Sequence, residues 1–180
     1  MLPLFTERLA LRDFVAADAA AYAALRQGAE FGRLYPAEET REAFSHRLLA
    51  LFVEQQAAVP RCHWQLAVTR RDDGTLLGSC GIRTVEPGRM SFGCELGEAW
   101  WGHGYAAEAA QALFDFAARL GCRELVADTL AANRAAIALA QRLGFTIADE
   151  AGEPREFAGR RHAALRLRMP LPAPVPHPTR

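Results

Sequence analysis

The sequence predicts one domain of mixed α/β (α+β) class, and three observations predict it. Short segments in which apolar and polar residues alternate recur along the chain, as half-buried strands require. Between them lie alanine- and leucine-rich stretches with apolar residues at helical spacing. One short apolar strand stands between two helical stretches, the pattern of a parallel crossover, whereas other neighbouring strands are joined by turns that suit antiparallel pairing. About seven strands and about four helices follow from this reading.

Taken in order, residues 7–14 alternate through Arg8, Leu9, Ala10, Leu11 and Arg12 and form the first strand. Residues 18–27 are rich in alanine, carry Tyr22 and Leu25 on one side and meet Gly28 where a C-terminal cap belongs, so they form a helix. A second helix over residues 38–56 follows Pro36 and spaces Phe44, Leu48, Leu51 and Phe52 along one face. Trp64, Leu66 and Val68 alternate along a strand that turns at Asp73-Gly74 into another over residues 76–82. Residues 89–97 form the next strand, beyond the turn at Pro87-Gly88. A helix over residues 104–120 aligns Ala109, Leu113, Phe116 and Leu120. Trp64 and Phe116 read as core. The crossover strand is 123–129, the last helix 133–143 with Gly144 as its cap, and two strands, 145–149 and 162–169, finish the sheet around a polar turn. Pro170, Pro172, Pro174, Pro176 and Pro178 have no N–H to give a ladder, so the domain is read as 1–169 and residues 170–180 as an extended tail.

The composition is that of an ordinary globular domain: 180 residues, 51% hydrophobic and 23% charged. Lys+Arg and Asp+Glu both count 21, which removes the net positive charge that drives nonspecific binding to nucleic acid or anionic lipid. Glu7 and Arg8 interrupt the N-terminal apolar stretch before it reaches signal-peptide length, and no window is long and apolar enough to span a bilayer. The expected location is the cytoplasm, with neither nucleic acid nor membrane as partner. Cys62, Cys80, Cys94 and Cys122 stand singly and are read as free thiols rather than disulfides or a zinc site. Oligomeric state stays open, a homodimer included.

The sharpest local signal is Trp101-Gly102-His103-Gly104-Tyr105-Ala106, between a strand and a strongly patterned helix. Glycines there let backbone approach a ligand, and the N–H groups at the helix start suit phosphate oxygens. The plainer reading is a turn that needs glycine for its shape alone. Gly102-x-Gly104-x-x-Ala107 also fits a dinucleotide fingerprint, with Asp128 at the distance of a ribose-binding acid. Against a nicotinamide site, the preceding strand carries Ser91, Cys94 and Glu95 instead of a continuous apolar run, and too few strand–helix pairs follow.

These residues resemble a known family, the GNAT N-acetyltransferases, and within it the branch of ribosomal-protein N-terminal acetyltransferases. The resemblance spans residues 6–169. It rests on Thr6-Glu7-Arg8-Leu9-Ala10-Leu11-Arg12, Glu95-Leu96-Gly97, Trp101-Gly102-His103-Gly104-Tyr105-Ala106-Ala107-Glu108-Ala109, Asn133-Arg134-Ala135-Ala136 and Arg142-Leu143-Gly144-Phe145. It implies a mostly antiparallel sheet flanked by helices, in which two parallel strands, here 89–97 and 123–129, splay apart to admit acetyl-CoA. It implies that the backbone of Gly102, His103, Gly104, Tyr105, Ala106 and Ala107, with Trp101 beside it, holds the pyrophosphate. The pantetheine arm would pair with the strand edge at Phe92, Cys94 and Leu96, which also presents an N–H to the thioester carbonyl. Asn133 would touch cofactor or acceptor while also serving as a helix N-cap, and Arg142 joins the cofactor-binding set. No metal is implied. The sequence departs from the family pattern at Trp101, where many relatives have Gln or Arg, at Ala136, often Ser, and at Ala140, often the Tyr that meets the departing sulfur.

Direct acetyl transfer needs a neutral amine, a polarised thioester and a proton route. A lysine amine of pKa about 10.4 costs about 4.6 kcal/mol to neutralise at pH 7, an α-amine near 7.8 only about 1.1, so an α-amine is the easier acceptor without a strong base. Glu95 is the candidate to bind the ammonium and relay its proton, directly or through water; its plainer role is a solvated strand carboxylate. The side chains of His103 and Tyr105 are read as packing or rim, and Cys94 as no acyl carrier. The acceptor is a peptide or protein amine or a small-molecule amine, with a pocket built by residues 29–37, the second helix and the 150–161 turn, rimmed by Arg33, Glu38 and Glu39. A catalytically weak acetyl-CoA-binding module is the alternative that the missing Tyr and Ser suggest.

Overall fold

The computed structural model describes residues 2–172. Eight strands form one sheet in the order β1-β2-β3-β4-β5-β6-β8-β7. They are β1 (Leu4–Phe5), β2 (Leu9–Asp13), β3 (His63–Arg70), β4 (Leu76–Glu86), β5 (Arg89–Leu96), β6 (Glu124–Leu130), β7 (Thr146–Phe157) and β8 (Arg160–Pro170). Neighbours pair antiparallel except β5 and β6, which run parallel across the crossover that the sequence predicts. Five helices flank the sheet: α1 (Ala19–Leu25), α2 (Ala29–Gly32), α3 (Glu42–Gln56), α4 (Tyr105–Arg119) and α5 (Arg134–Arg142). Among the described residues no helix is long and apolar enough to cross a membrane.

Strand alternation sorts the core into two layers. Leu66, Val68, Cys80, Ile82, Met90 and Leu96 face α4 and α5, meeting Ala109, Ala110, Leu113 and Phe116. On the opposite face Phe14, Tyr22, Leu49, Phe52 and Ala67 pack around α1 and α3. The alanines of α4 let it lie close to the sheet, and its buried stripe follows the predicted one through Ala109, Leu113 and Phe116, whereas Leu120, beyond the last helical residue, is exposed.

The structure departs from the sequence reading where signals were short or two-sided. β1 has only two residues and α2 one turn, below what periodicity can reveal. The helix expected over 38–56 begins at Glu42, and its buried stripe runs through Ser45, Leu49 and Phe52, leaving Leu51 exposed. The polar turn expected after residue 149 is instead the far half of a long hairpin, β7 and β8, whose tip is Ala158-Gly159. In that half only Gly152 of β7 is buried and the half-buried positions are Arg155 and Phe157, so no alternation of apolar residues marks it in the sequence. Pro170 takes the final ladder position, opposite Glu124. Residues 173–180 of the expected tail lie outside the described residues.

Candidate active site

The parallel pair β5–β6 is joined by three residue pairs only, Arg89–Glu124, Met90–Leu125 and Ser91–Val126. β5 nevertheless continues against β4 as far as Leu96–Gly78, and β6 against β8 as far as Leu130–Ala164. Beyond Ser91 and Val126 the two strands therefore diverge, each supported by its outer neighbour, and leave a fork. On the α4 and α5 face the Phe92 ring meets Phe114 at 4.9 Å and Phe145 at 6.0 Å, packing the start of the divergence against the core.

Strand parity decides which backbone groups face the fork. The Gly97 N–H donates to the Leu77 carbonyl of β4. Successive residues point to opposite sides, so Glu95 and Gly93 also face β4, whereas Phe92, Cys94 and Leu96 turn their N–H and C=O groups toward the fork. These are the three edge residues to which the family resemblance assigns the pantetheine arm. The Trp101 indole N–H donates to the Leu96 carbonyl at 2.8 Å and so pins the following turn to the strand end. The Cys94 side chain faces Cys80, its cross-strand partner, whose thiol is pushed up by burial and by that neighbour.

That turn passes through Gly102 and Gly104 with φ of 78° and 81°, conformations that cost an ordinary L-residue about 1–2 kcal/mol. No atom lies within 4 Å of where a Gly102 side chain would begin, so the backbone there is open to a ligand. Gly104 is the N-cap of α4, and the Glu108 N–H is the first to reach back, to the Gly104 carbonyl at 3.1 Å. The N–H groups of Tyr105, Ala106 and Ala107 thus have no acceptor within the helix and lie at its positive end. His103 Nδ1 lies 2.8 Å from the Trp101 carbonyl, and its ring stacks on Tyr105, as expected of packing residues.

Glu95 points to the α1 side of the sheet and is not solitary. Its Oε1 accepts from the Tyr22 hydroxyl and from Ser79 Oγ at 3.3 Å, and Arg26 Nη1 reaches Oε1 at 2.7 Å and Oε2 at 2.6 Å. Arg26 is only 3% exposed and lies among the rings of Tyr22, Phe31, Tyr35 and Phe44, at 4.7–5.9 Å. Burial works against its charge, but Glu95 outweighs it and the guanidinium is held above its ordinary value. Burial, then the Glu95 charge, push the Tyr22 and Tyr35 hydroxyls up, so both stay protonated donors. Glu95 is thus not an unpartnered strand carboxylate: it is the half-buried partner of a buried arginine, and Oε2 has Arg26 as its one donor among the described residues.

Asn133 caps α5, its Oδ1 accepting from Ala136 N–H at 3.1 Å, close beyond the end of β6. Both α4 and α5 therefore start at the open end of the fork. Arg142 is in the last turn of α5, exposed and roughly 13 Å along the helix axis from Asn133, so these two predicted residues are not brought together. On the α2 side, Tyr35 lines two adjoining cavities. The smaller, about 110 Å³, also touches Asp128, Leu130, Asn133 and Glu153; the larger, about 700 Å³, lies between Arg33, Glu38, Phe157 and His162. The two cavities are lined by segment 32–38 and the β7–β8 hairpin, two of the stretches named for the acceptor pocket, whereas no residue of α3 lines either, and Glu39 pairs with Arg155.

Sequence reasoning missed Tyr22, Arg26 and Ser79 around Glu95, and the ties that Thr6 and Arg8 make to Glu108. Thr6, Arg8 and Glu108 stood within the quoted stretches, but nothing local said that they meet. For Tyr22 and Arg26 the only signal was a charged residue four positions from a tyrosine on an otherwise apolar helix.

A family model described as an acetyltransferase (GNAT) domain matches residues 8–146. An uncharacterized N-acetyltransferase, p20, of Bacillus licheniformis is 28% identical over 153 residues, 81% of this chain and 83% of that protein. Among solved structures, the ribosomal-protein α-N-acetyltransferase RimL in complex with coenzyme A superposes with a TM-score of 0.76 at 19% identity, covering 92% of this chain and 96% of that one. A spermidine N-acetyltransferase chimera from Vibrio cholerae gives 0.76 at 17% identity, covering 91% and 95%. Both solved structures share the fold with this chain, and they differ in acceptor.

Proposed function

The chain belongs to the GNAT acetyltransferase family, enzymes that take their acetyl group from acetyl-CoA, and we propose that it passes that group to a primary amine by direct attack, the α-amine of a peptide or protein being the favoured acceptor. The observation that carries this reading is the fork. An edge at Phe92, Cys94 and Leu96 with no strand beside it, where the Trp101 indole takes the Leu96 carbonyl alone, leads to a turn of two left-handed glycines and a helix start, the succession of sites a pantetheine arm and pyrophosphate need.

In this reading acetyl-CoA supplies an activated thioester and a leaving thiol. The N–H groups of Gly102 to Ala107 hold its phosphates, and an edge N–H of the Phe92–Leu96 strand polarises the thioester carbonyl. The acceptor enters from the cavities beside Tyr35. Glu95 uses the spare lone pair of Oε2 to orient the ammonium and lead its proton to water, while Arg26 and Tyr22 fix the carboxylate. The amine nitrogen then bonds to the acetyl carbon, the C–S bond breaks, and the second proton that nitrogen sheds to become an amide balances the one taken up, through water, by the thiolate of ordinary thiol pKa near 8.5. A carboxylate already neutralised by Arg26 is an orienting group more than a strong base, which favours the α-amine: its deprotonation costs about 1.1 kcal/mol at pH 7 against about 4.6 for lysine.

The test is thiol release from acetyl-CoA with N-terminal peptides, peptides whose only free amine is lysine, and small amines such as polyamines. Turnover confined to α-amines supports the proposal. Turnover on small amines alone replaces the acceptor, and tight acetyl-CoA binding with no turnover on any of them would point to a binding module.

A further inference from the structure

The two glycines that open the phosphate-binding turn also leave it free to take other shapes, so something outside the turn has to fix it. That contact comes from the other end of the chain. The Thr6 hydroxyl and the Arg8 backbone N–H both donate to Glu108 Oε1, at 2.5 and 2.9 Å. Arg8 Nε and Nη2 reach Glu108 Oε2 at 2.7 and 2.6 Å, and Nη1 donates to the His103 carbonyl, inside the turn, at 3.0 Å. The guanidinium also lies 4.5 Å from the centre of the Tyr105 ring, on which His103 stacks. Arg8 is itself anchored, its carbonyl accepting from Arg71 N–H at 2.9 Å and Thr6 Oγ1 accepting from Leu9 N–H at 2.9 Å.

Charge gives the arrangement a second purpose. Glu108 is in the first turn of α4, where its carboxylate alone would oppose a phosphate bound at the same helix end. Paired with Arg8 it is neutralised, and the field of the free N–H groups is left for the ligand.

We propose that Arg8, through Glu108 and the His103 carbonyl, positions the turn 101–105 for the phosphates of acetyl-CoA. Arg8 is thus a positioning residue for donor binding. The inference rests on the acetyl-CoA reading above and deepens it.

The experiment compares two acetyl donors, acetyl-CoA and S-acetyl-pantetheine, which lacks the pyrophosphate, and measures coenzyme A binding by calorimetry with no acceptor present. In Arg8→Met the dissociation constant for coenzyme A is expected to rise roughly tenfold to hundredfold, the scale on which misplacement of a binding group acts. The ratio of kcat/KM for acetyl-CoA to that for S-acetyl-pantetheine falls by the same factor, and adding Glu108→Gln worsens it by less than the product of the single effects. Equal losses on both donors, or unchanged coenzyme A binding in a folded variant, overturn the proposal. Should Arg8→Met fail to fold, Arg8→Lys, which keeps the charge but not the fork of donors, is expected to lower the ratio partway, and an unchanged ratio there overturns it as well. A wild-type protein that binds coenzyme A but acetylates no amine defeats the transfer reading while leaving the binding arm decisive; one that does not bind coenzyme A defeats both.

Discussion

In the proposed reaction Glu95 serves two ends, because the carboxylate that would orient the ammonium also neutralises a cation that water scarcely reaches. Replacing it with Gln leaves Arg26 buried among four rings with no counter-charge. Breaking such a pair costs about 3 kcal/mol, and loss of a proton-handling group lowers kcat/KM roughly 10²-fold. Denaturant unfolding and steady-state kinetics of Glu95→Gln separate the two: destabilisation with an unchanged turnover per folded molecule would leave Glu95 a purely structural residue. Tyr22→Phe keeps the carboxylate and removes one donor to it, so about 1.5 kcal/mol of stability and a severalfold loss in rate are expected, with the fold intact. The sequence could nominate Glu95 because its neighbours Leu96 and Gly97 are adjacent in the chain. It could not supply Arg26 and Tyr22, which stand 69 and 73 positions away and meet it only when α1 packs on the sheet.

The junction between the turn and α4 joins two left-handed glycines to the free N–H groups of a helix start, and the predictions for the proposed phosphate site belong to that element. Gly104→Ala places a side chain on a left-handed residue and should cost about 1–2 kcal/mol while raising the KM for acetyl-CoA. Gly88→Ala is the control: its φ is 79°, in the β4–β5 turn and away from the fork, so a similar loss of stability is expected with the KM unchanged. A KM that rises equally in both variants would mean that the effect is general weakening and not the turn. The same junction titrates. Burial acts to raise the Glu108 pKa, but the Thr6 hydroxyl, the Arg8 N–H and the Arg8 guanidinium together hold it below the ordinary carboxylate value of 4.5. A carboxylate depressed in the folded state stabilises fully above its unfolded pKa and loses that contribution as pH falls through the folded one. Coenzyme A affinity measured against pH should therefore carry no Glu108 contribution from neutrality down to the ordinary carboxylate value, and weaken only below it, in wild type more than in Glu108→Gln. At this scale the helix and the glycines were legible because their signals are local. The outer half of the β7–β8 hairpin was not, since its less exposed face is built from Arg155 and Phe157 and its one buried residue is Gly152, which leaves no apolar period to read.

Seen whole, the sheet is two half-sheets, β1–β5 and β6–β8–β7, hinged on the three pairs at the root of the fork. A ligand that bridges the halves should stabilise the molecule as a unit, by about 2.7 kcal/mol at a hundredfold excess over its dissociation constant. Where the added protection falls distinguishes bridging from mere attachment. The amides of Gly93 and Glu95 are already committed to β4, so coenzyme A can change them little, while those of Phe92, Cys94 and Leu96 face the fork and have a partner to gain. Hydrogen exchange read residue by residue should therefore slow in alternation along β5, with further slowing at Tyr105, Ala106 and Ala107, whose N–H groups are free at the start of α4. Uniform slowing along β5 would mean that the strand is merely stiffened by a ligand bound elsewhere. Slowing confined to the helix start would mean that the phosphates are held while the pantetheine arm takes another path, leaving the edge at Phe92, Cys94 and Leu96 without its proposed role.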